Sequence, residues 1–190
     1  MTSTPLLNPL RAVKVSRSCD VPEIRTRAFY ELVRSPKFDL TPQSLAYTGS
    51  SDVGPYPMSL PIHPNDLLKV LSIREALQSQ WVTETNDEDH RTHRSSLCPL
   101  HQPNDPDADG PPSQSGCLTD DQRHRFWATS VVECGIFDVG SLDPIEGARQ
   151  LSEKNMWRKY CDGCAQLQHD IWTRIRERLW DKLEEMINNK

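Results

Sequence analysis

Glycine is scarce in this chain, with eight in 190 residues against fifteen prolines. Long flexible linkers are therefore not expected, and frequent segment boundaries are. No apolar run approaches the length needed to span a bilayer, so no membrane partner is expected. The residues from Met1 to Leu10 lack a basic region followed by an apolar stretch, so they do not read as a secretory leader, and no Asn-x-Ser/Thr sequon occurs. No basic stripe is present and the net charge is −5, which disfavours nucleic acid, since neutralising phosphates needs clustered Lys and Arg. No nucleophile elbow, phosphate loop or dinucleotide fingerprint occurs, so an enzyme is not expected. A reducing compartment, cytoplasmic or nuclear, is the expected setting. There, paired cysteines point to metal more often than to disulfides.

What is present is helical. Few β-branched alternating runs occur, and several segments carry helix start signals. The expected class is all-α, an irregular bundle of about five to seven helices with a long disordered loop and a zinc staple. Leu10, Val13 and Val15 give a first short face. Asp20, Pro22 and Glu23 read as cap, first-turn proline and box partner for a second helix through Val33. Residues 36–64 hold six prolines and read as a loop, with one turn of helix at Thr41 to Tyr47. A strong helix follows, with Leu67, Leu68, Val70, Leu71, Ile73, Ala76, Leu77 and Trp81 on a broad apolar face.

The domain boundaries expected are a helical pair over 1–35, a Pro-rich loop over 36–64 and a helical domain over 65–190 with a mobile insert at 83–116. Within that insert Asp87, Glu88 and Asp89 read as a solvated loop. Asp105, Asp107 and Asp109 alternate faintly like a calcium loop, but Pro106, Pro111 and Pro112 intrude and Gly116 stands where an acid is needed. Thr119 with Gln122 is a capping box, Gly135 a stop, and Asp143-Pro144 a further start. The last helix repeats apolar residues at three and four from Leu167 to Ile187. On it, Leu179, Trp180 and Leu183 form a seam and Trp172 falls near its edge.

Cys161-x-x-Cys164 and Cys98-x-x-His101 are the constellation with specific chemistry. Each pair offers two donors to one ion, and two such pairs complete the tetrahedron that zinc prefers. The expected cofactor is therefore Zn2+, held by Cys98, His101, Cys161 and Cys164, with Cys117 as the rival to His101. The Cys161 pair can converge in two ways: on one helical face, or in a knuckle with Gly163 in a left-handed turn. Cys134, His90 and His93 compete as ligands. His169 reads as exposed, and His124 as solvated in a polar helix start over 122–125. A thioredoxin-like dithiol lacks the βαβ context it needs. The alternatives are a zinc-dependent hydrolase, with Glu133 or His124 as the base, and a zinc-knuckle regulator.

One stretch resembles a known group. Val13-Lys14-Val15-Ser16-Arg17-Ser18-Cys19-Asp20-Val21-Pro22-Glu23-Ile24, continuing through Ala28-Phe29-Tyr30-Glu31-Leu32, resembles the helical pair that follows the BTB/POZ domain in many basidiomycete fungal proteins. Arg74-Glu75-Ala76-Leu77-Gln78 with Trp81, then Cys98, Phe126-Trp127, Cys161-x-x-Cys164 and Leu179-Trp180-Asp181-Lys182-Leu183, are similar to the rest of that C-terminal helical region. The BTB fold itself has no counterpart here, which suggests a truncated product. The resemblance therefore implies an accessory helical region without the association activity of the BTB domain; the capped helices, the cysteine pairs and the lack of catalytic motifs make the expected role a non-enzymatic interaction module with an unidentified protein partner.

Overall fold

The computed structural model describes residue 6 and residues 8–35, 62–92 and 117–188. Among these the regular structure is helical, with no strand, as the sequence predicts. The helices are α1 (Pro9–Ser18), α2 (Pro22–Arg34), α3 (Pro64–Asn86), α4 (Glu88–Thr92), α5 (Asp120–Trp127), α6 (Ile136–Leu142), α7 (Pro144–Leu151) and α8 (Asp162–Asn188). A π-helical turn, Ala128–Val132, continues α5, and a 3-10 turn, Lys154–Trp157, precedes α8. The chain divides into two compact units, Met1–Ala76 with Leu183–Lys190, and Leu77–Lys182, so that α3 and α8 contribute to both.

In the first unit, α1 and α2 pack around a tight corner. The corner differs from the sequence expectation. Asp20 does not cap α2: its φ is +51°, and the cap position falls to Val21, with no side-chain bond. Asp20 instead closes α1, because its left-handed backbone lets the Val21 N–H donate to the Ser16 carbonyl (3.0 Å). That six-to-one bond is the usual device for ending a helix, with glycine commonest at the turning residue and Asp among the few that tolerate it. Asp20→Val is expected to cost about 1–2 kcal/mol, and Asp20→Gly to be neutral or stabilising. Urea melts of both variants check this, and equal losses would show that the carboxylate, not the backbone, matters there.

Arg74 of α3 satisfies the end of α2, donating from Nε to the Val33 carbonyl (3.0 Å) and from Nη2 to the Ser35 carbonyl (2.8 Å). Arg17 binds the buried Asp66 carboxylate through both terminal nitrogens. Lys69 donates to the Ile187 carbonyl (2.8 Å) near the end of α8. The buried stripe of α3 is narrower than its sequence suggests. Val70, Ile73, Leu77 and Trp81 are buried, whereas Leu68 and Leu71 are exposed, as is Val15 on α1.

The second unit is built on aromatic rings. Trp172 is fully buried and stacks on Trp127 (5.8 Å, 22°), with Trp81 tilted against it at 6.0 Å. The seam-edge expectation for Trp172 is thus reversed: it is central, and Trp180 is half-buried. Gly140 and Gly147 bring α6 and α7 directly against the Trp81 ring. A Cβ on Gly140 would fall 2.0 Å from that ring, and one on Gly147 would fall 2.5 Å from the Gly140 Cα.

Three sequence signals hold here. Thr119 and Gln122 form the reciprocal capping box (2.9 and 3.4 Å). Asp143 accepts from the Glu146 N–H (3.1 Å), with Pro144 in the first turn. Gly135 has φ +79° and lies between the π turn and α6.

The start of the expected insert needs correction. α3 runs on to Asn86 and α4 follows from Glu88, so 83–86 and 88–92 are helical. Glu84 explains this. It is buried, pairs with Arg178 (3.0 Å) and lies 3.0 Å from His90 Nδ1, so polar residues here face partners. Asp87 and Glu88 are exposed, as expected, but Glu88 is helical. The expectations for 36–61 and 93–116, including Thr41 to Tyr47, His93 and the Asp105 to Asp109 alternation, fall outside the described residues.

Candidate metal centre

Three cysteines converge in the second unit. The Sγ atoms of Cys117, Cys161 and Cys164 all lie within 4.8 Å of one another. In a tetrahedral site with zinc–sulfur bonds of about 2.3 Å the sulfurs stand about 3.8 Å apart, so a closing movement of at most about 1 Å puts all three in one coordination sphere. Cys117 and Cys164 are buried and Cys161 is half-buried, and the described cysteines are thiols rather than disulfides.

Local structure places each sulfur. Trp157 donates its indole N–H to the Leu151 carbonyl (2.7 Å), which anchors the 3-10 turn, and its ring meets Tyr160 edge-on at 5.4 Å. Cys161 then sits at the head of α8, its carbonyl accepting from Ala165 N–H (2.8 Å). Cys161 is the residue before α8 and Cys164 lies in its first turn, three residues on. The pair converges at the N-terminus of α8, close to the helical alternative, with Cys161 just outside the helix and Cys164 within it. Gly163 is inside α8 without a positive φ, and a Cβ there would meet nothing within 4 Å. The knuckle with Gly163 in a left-handed turn is therefore corrected.

Cys117 precedes the Thr119 cap of α5. The residue that fixes it there is Arg123, one turn into α5. Arg123 is fully buried, and its Nε donates to the Leu118 carbonyl (2.9 Å). Its Nη2 donates to Cys117 Sγ (3.2 Å) and Cys164 Sγ (3.6 Å), and the guanidinium lies 5.5 Å from the centre of the Tyr160 ring.

The electrostatics favour the thiolate of Cys117. Burial pushes the Cys117 thiol up, but hydrogen bonds with Cys161 and Cys164 and the charge of Arg123 outweigh it, holding the thiol below its ordinary range. Burial also opposes the charge of Arg123, yet Cys117 and Cys164 outweigh that and make the cation harder to neutralise. Tyr160 is pushed well up by burial, so it remains a phenol at neutral pH. The head of α8 adds the positive end of a 27-residue helix beside Cys161 and Cys164.

Two of the four expected donors lie in the described cluster. Cys161 and Cys164 come together, and Cys117, the rival donor, joins them. Cys98 and His101 lie outside the described residues. The other candidates are elsewhere. Cys134 and Cys19 are exposed, and His90 engages Glu84. His169 is half-buried rather than exposed, its Nδ1 against the Ser152 carbonyl. His124 is exposed, 3.9 Å from Glu88, and Glu133 is exposed. Arg123 was hidden in the sequence by its polar neighbours. Its spacing of three and four from Phe126 and Trp127, both buried, is the signal that it faces inward.

Three cysteines able to hold one metal ion are the chemical content of this site. No protein-family model, curated protein or solved structure matches the chain.

Proposed function

We propose that this chain is a non-enzymatic helical interaction module whose second unit is stapled by one zinc ion, with Cys117, Cys161 and Cys164 as the thiolate ligands. The observation that carries the reading is the convergence of the three sulfurs from two elements far apart in sequence. Zinc suits an all-sulfur set without redox chemistry, and a structural ion contributes directly to folding. Cys98 and His101 remain the sequence-based candidates for a fourth ligand.

The hydrolase alternative needs a base beside an open coordination position. Its two candidates, His124 and Glu133, are exposed and outside the thiol cluster, which favours the structural role. The protein partner belongs to the interaction-module reading; Leu68 on α3 (64% exposed) and Leu142 on α6 (63% exposed) are single apolar side chains in solvent, of the kind any protein surface carries. The kinship proposed is with the accessory region of fungal BTB/POZ proteins, and the setting proposed is cytoplasmic or nuclear. No described helix is long and apolar enough to cross a membrane.

Chelation tests the staple. Treating zinc-loaded protein with a strong chelator is expected to release about one ion per chain and lower the helical circular dichroism signal, with recovery on adding zinc back. Unchanged helicity in verified metal-free protein would refute the structural role.

A further inference from the structure

Arg123 is an unusual neighbour for a metal. A guanidinium cannot ligate an ion, stays charged at any working pH and is costly to bury without a compensating anion. Here it is fully buried and donates to two of the three sulfurs, at 3.2 and 3.6 Å. Three thiolates around a divalent ion leave one negative charge. One guanidinium cancels it.

We infer that Arg123 is the built-in counter-cation of the metal centre, completing a neutral unit of three thiolates, one divalent ion and one guanidinium, so that the fourth ligand is a neutral donor and not a fourth thiolate. This rests on the zinc reading above and specifies the charge of that same site. The packing agrees with it. Arg123 Nε is held by the Leu118 carbonyl and its guanidinium by the Tyr160 ring, so contacts within the protein orient the positive charge toward the sulfurs. A fourth thiolate would leave an uncancelled charge in a buried setting, which low polarity penalises. Water or imidazole would not.

The test compares zinc affinity, by competition with a chromophoric chelator, in the full-length wild type, Arg123→Lys and Arg123→Gln. Arg123→Gln is expected to weaken zinc by about 10–100-fold, the usual effect of removing a group that supports metal ligands, and Arg123→Lys to recover most of that loss. Rescue by lysine is the readout that a purely packing role would not give, because lysine restores the charge and not the fork of hydrogen bonds. Equal affinity in wild type and Arg123→Gln would overturn the inference and leave the zinc staple standing. Absence of zinc binding by the wild type would overturn both. X-ray absorption on the zinc-loaded wild type needs no variant to fold. Three sulfurs and one lighter neighbour are expected, and four sulfurs would overturn the neutral-donor assignment.

Discussion

Gly140→Ala is expected to destabilise the second unit by about 3 kcal/mol or more, near the upper end of the range for overpacking a core. The added methyl would fall 2.0 Å from the Trp81 ring, inside any permitted contact. The ring has no room to retreat. It is fully buried, packed on Trp172 at 6.0 Å and tilted against Phe137 at 6.4 Å. Backbone movement is blocked as well, because Gly147 faces Gly140 so closely that its own Cβ would meet the Gly140 Cα at 2.5 Å. Gly163→Ala is the matched control. It sits in a helix with open space around the new methyl, so it is expected to be neutral or stabilising by about 0.5–1 kcal/mol. It should also leave metal binding intact, since the cysteine pair converges at the N-terminus of α8 and not by a glycine turn. Urea denaturation of both variants separates the cases, and a Gly140→Ala protein as stable as the wild type would refute the tight α6–α7 approach.

Cys164→Ser carries the second large effect. The residue is almost wholly buried (1% exposed), its sulfur accepts from the Arg123 guanidinium, and it stands in the first turn of α8 near Cys161. Serine there is a poor zinc ligand and leaves a buried cation short of an anionic partner. Breaking a buried charge pair alone costs about 3–5 kcal/mol, and a structural zinc site contributes more than that to folding at neutral pH. The variant is therefore expected to lose its zinc and much of the cooperative unfolding of the second unit. Cys134→Ser and Cys19→Ser, at exposed positions, should change melting by no more than about 0.5 kcal/mol. Zinc affinity in the wild type should also fall as pH is lowered, because the proposed ligands would bind as thiolates and protons compete for them.

Much of the helical plan is legible in the sequence because it rests on local chemistry. Thr119, Gln122, Asp143, Pro144 and Gly135 act within a few residues of themselves, and each does what its side chain or backbone freedom dictates. What fails is non-local. Asp20 has the composition of a cap and the backbone of a helix stop, and only the packing of α1 on α2 selects between them. Glu84 and Thr85 look like the start of a polar insert, yet both are buried, the former against Arg178 more than ninety residues away in sequence. Trp172 is different: it stands seven residues before Leu179 and eleven before Leu183, so helical spacing alone puts it on their buried face, and Trp81 and Trp127 pack on it from other helices.

The metal centre divides the same way. The Cys161 pair is visible as a motif. Choosing Cys117 as their companion requires knowing that α5 sets its N-terminus beside α8. Arg123 is legible only once its position on the buried face of α5 is taken as seriously as its charge.

Zinc content per chain, measured by elemental analysis on the purified wild type and on Cys117→Ser, Cys161→Ser and Cys164→Ser, tests the account most directly. The expected result is about one zinc in the wild type and loss of the tightly held ion in each of the three variants. A wild type without zinc, or a Cys117→Ser protein that keeps its full complement, would contradict it.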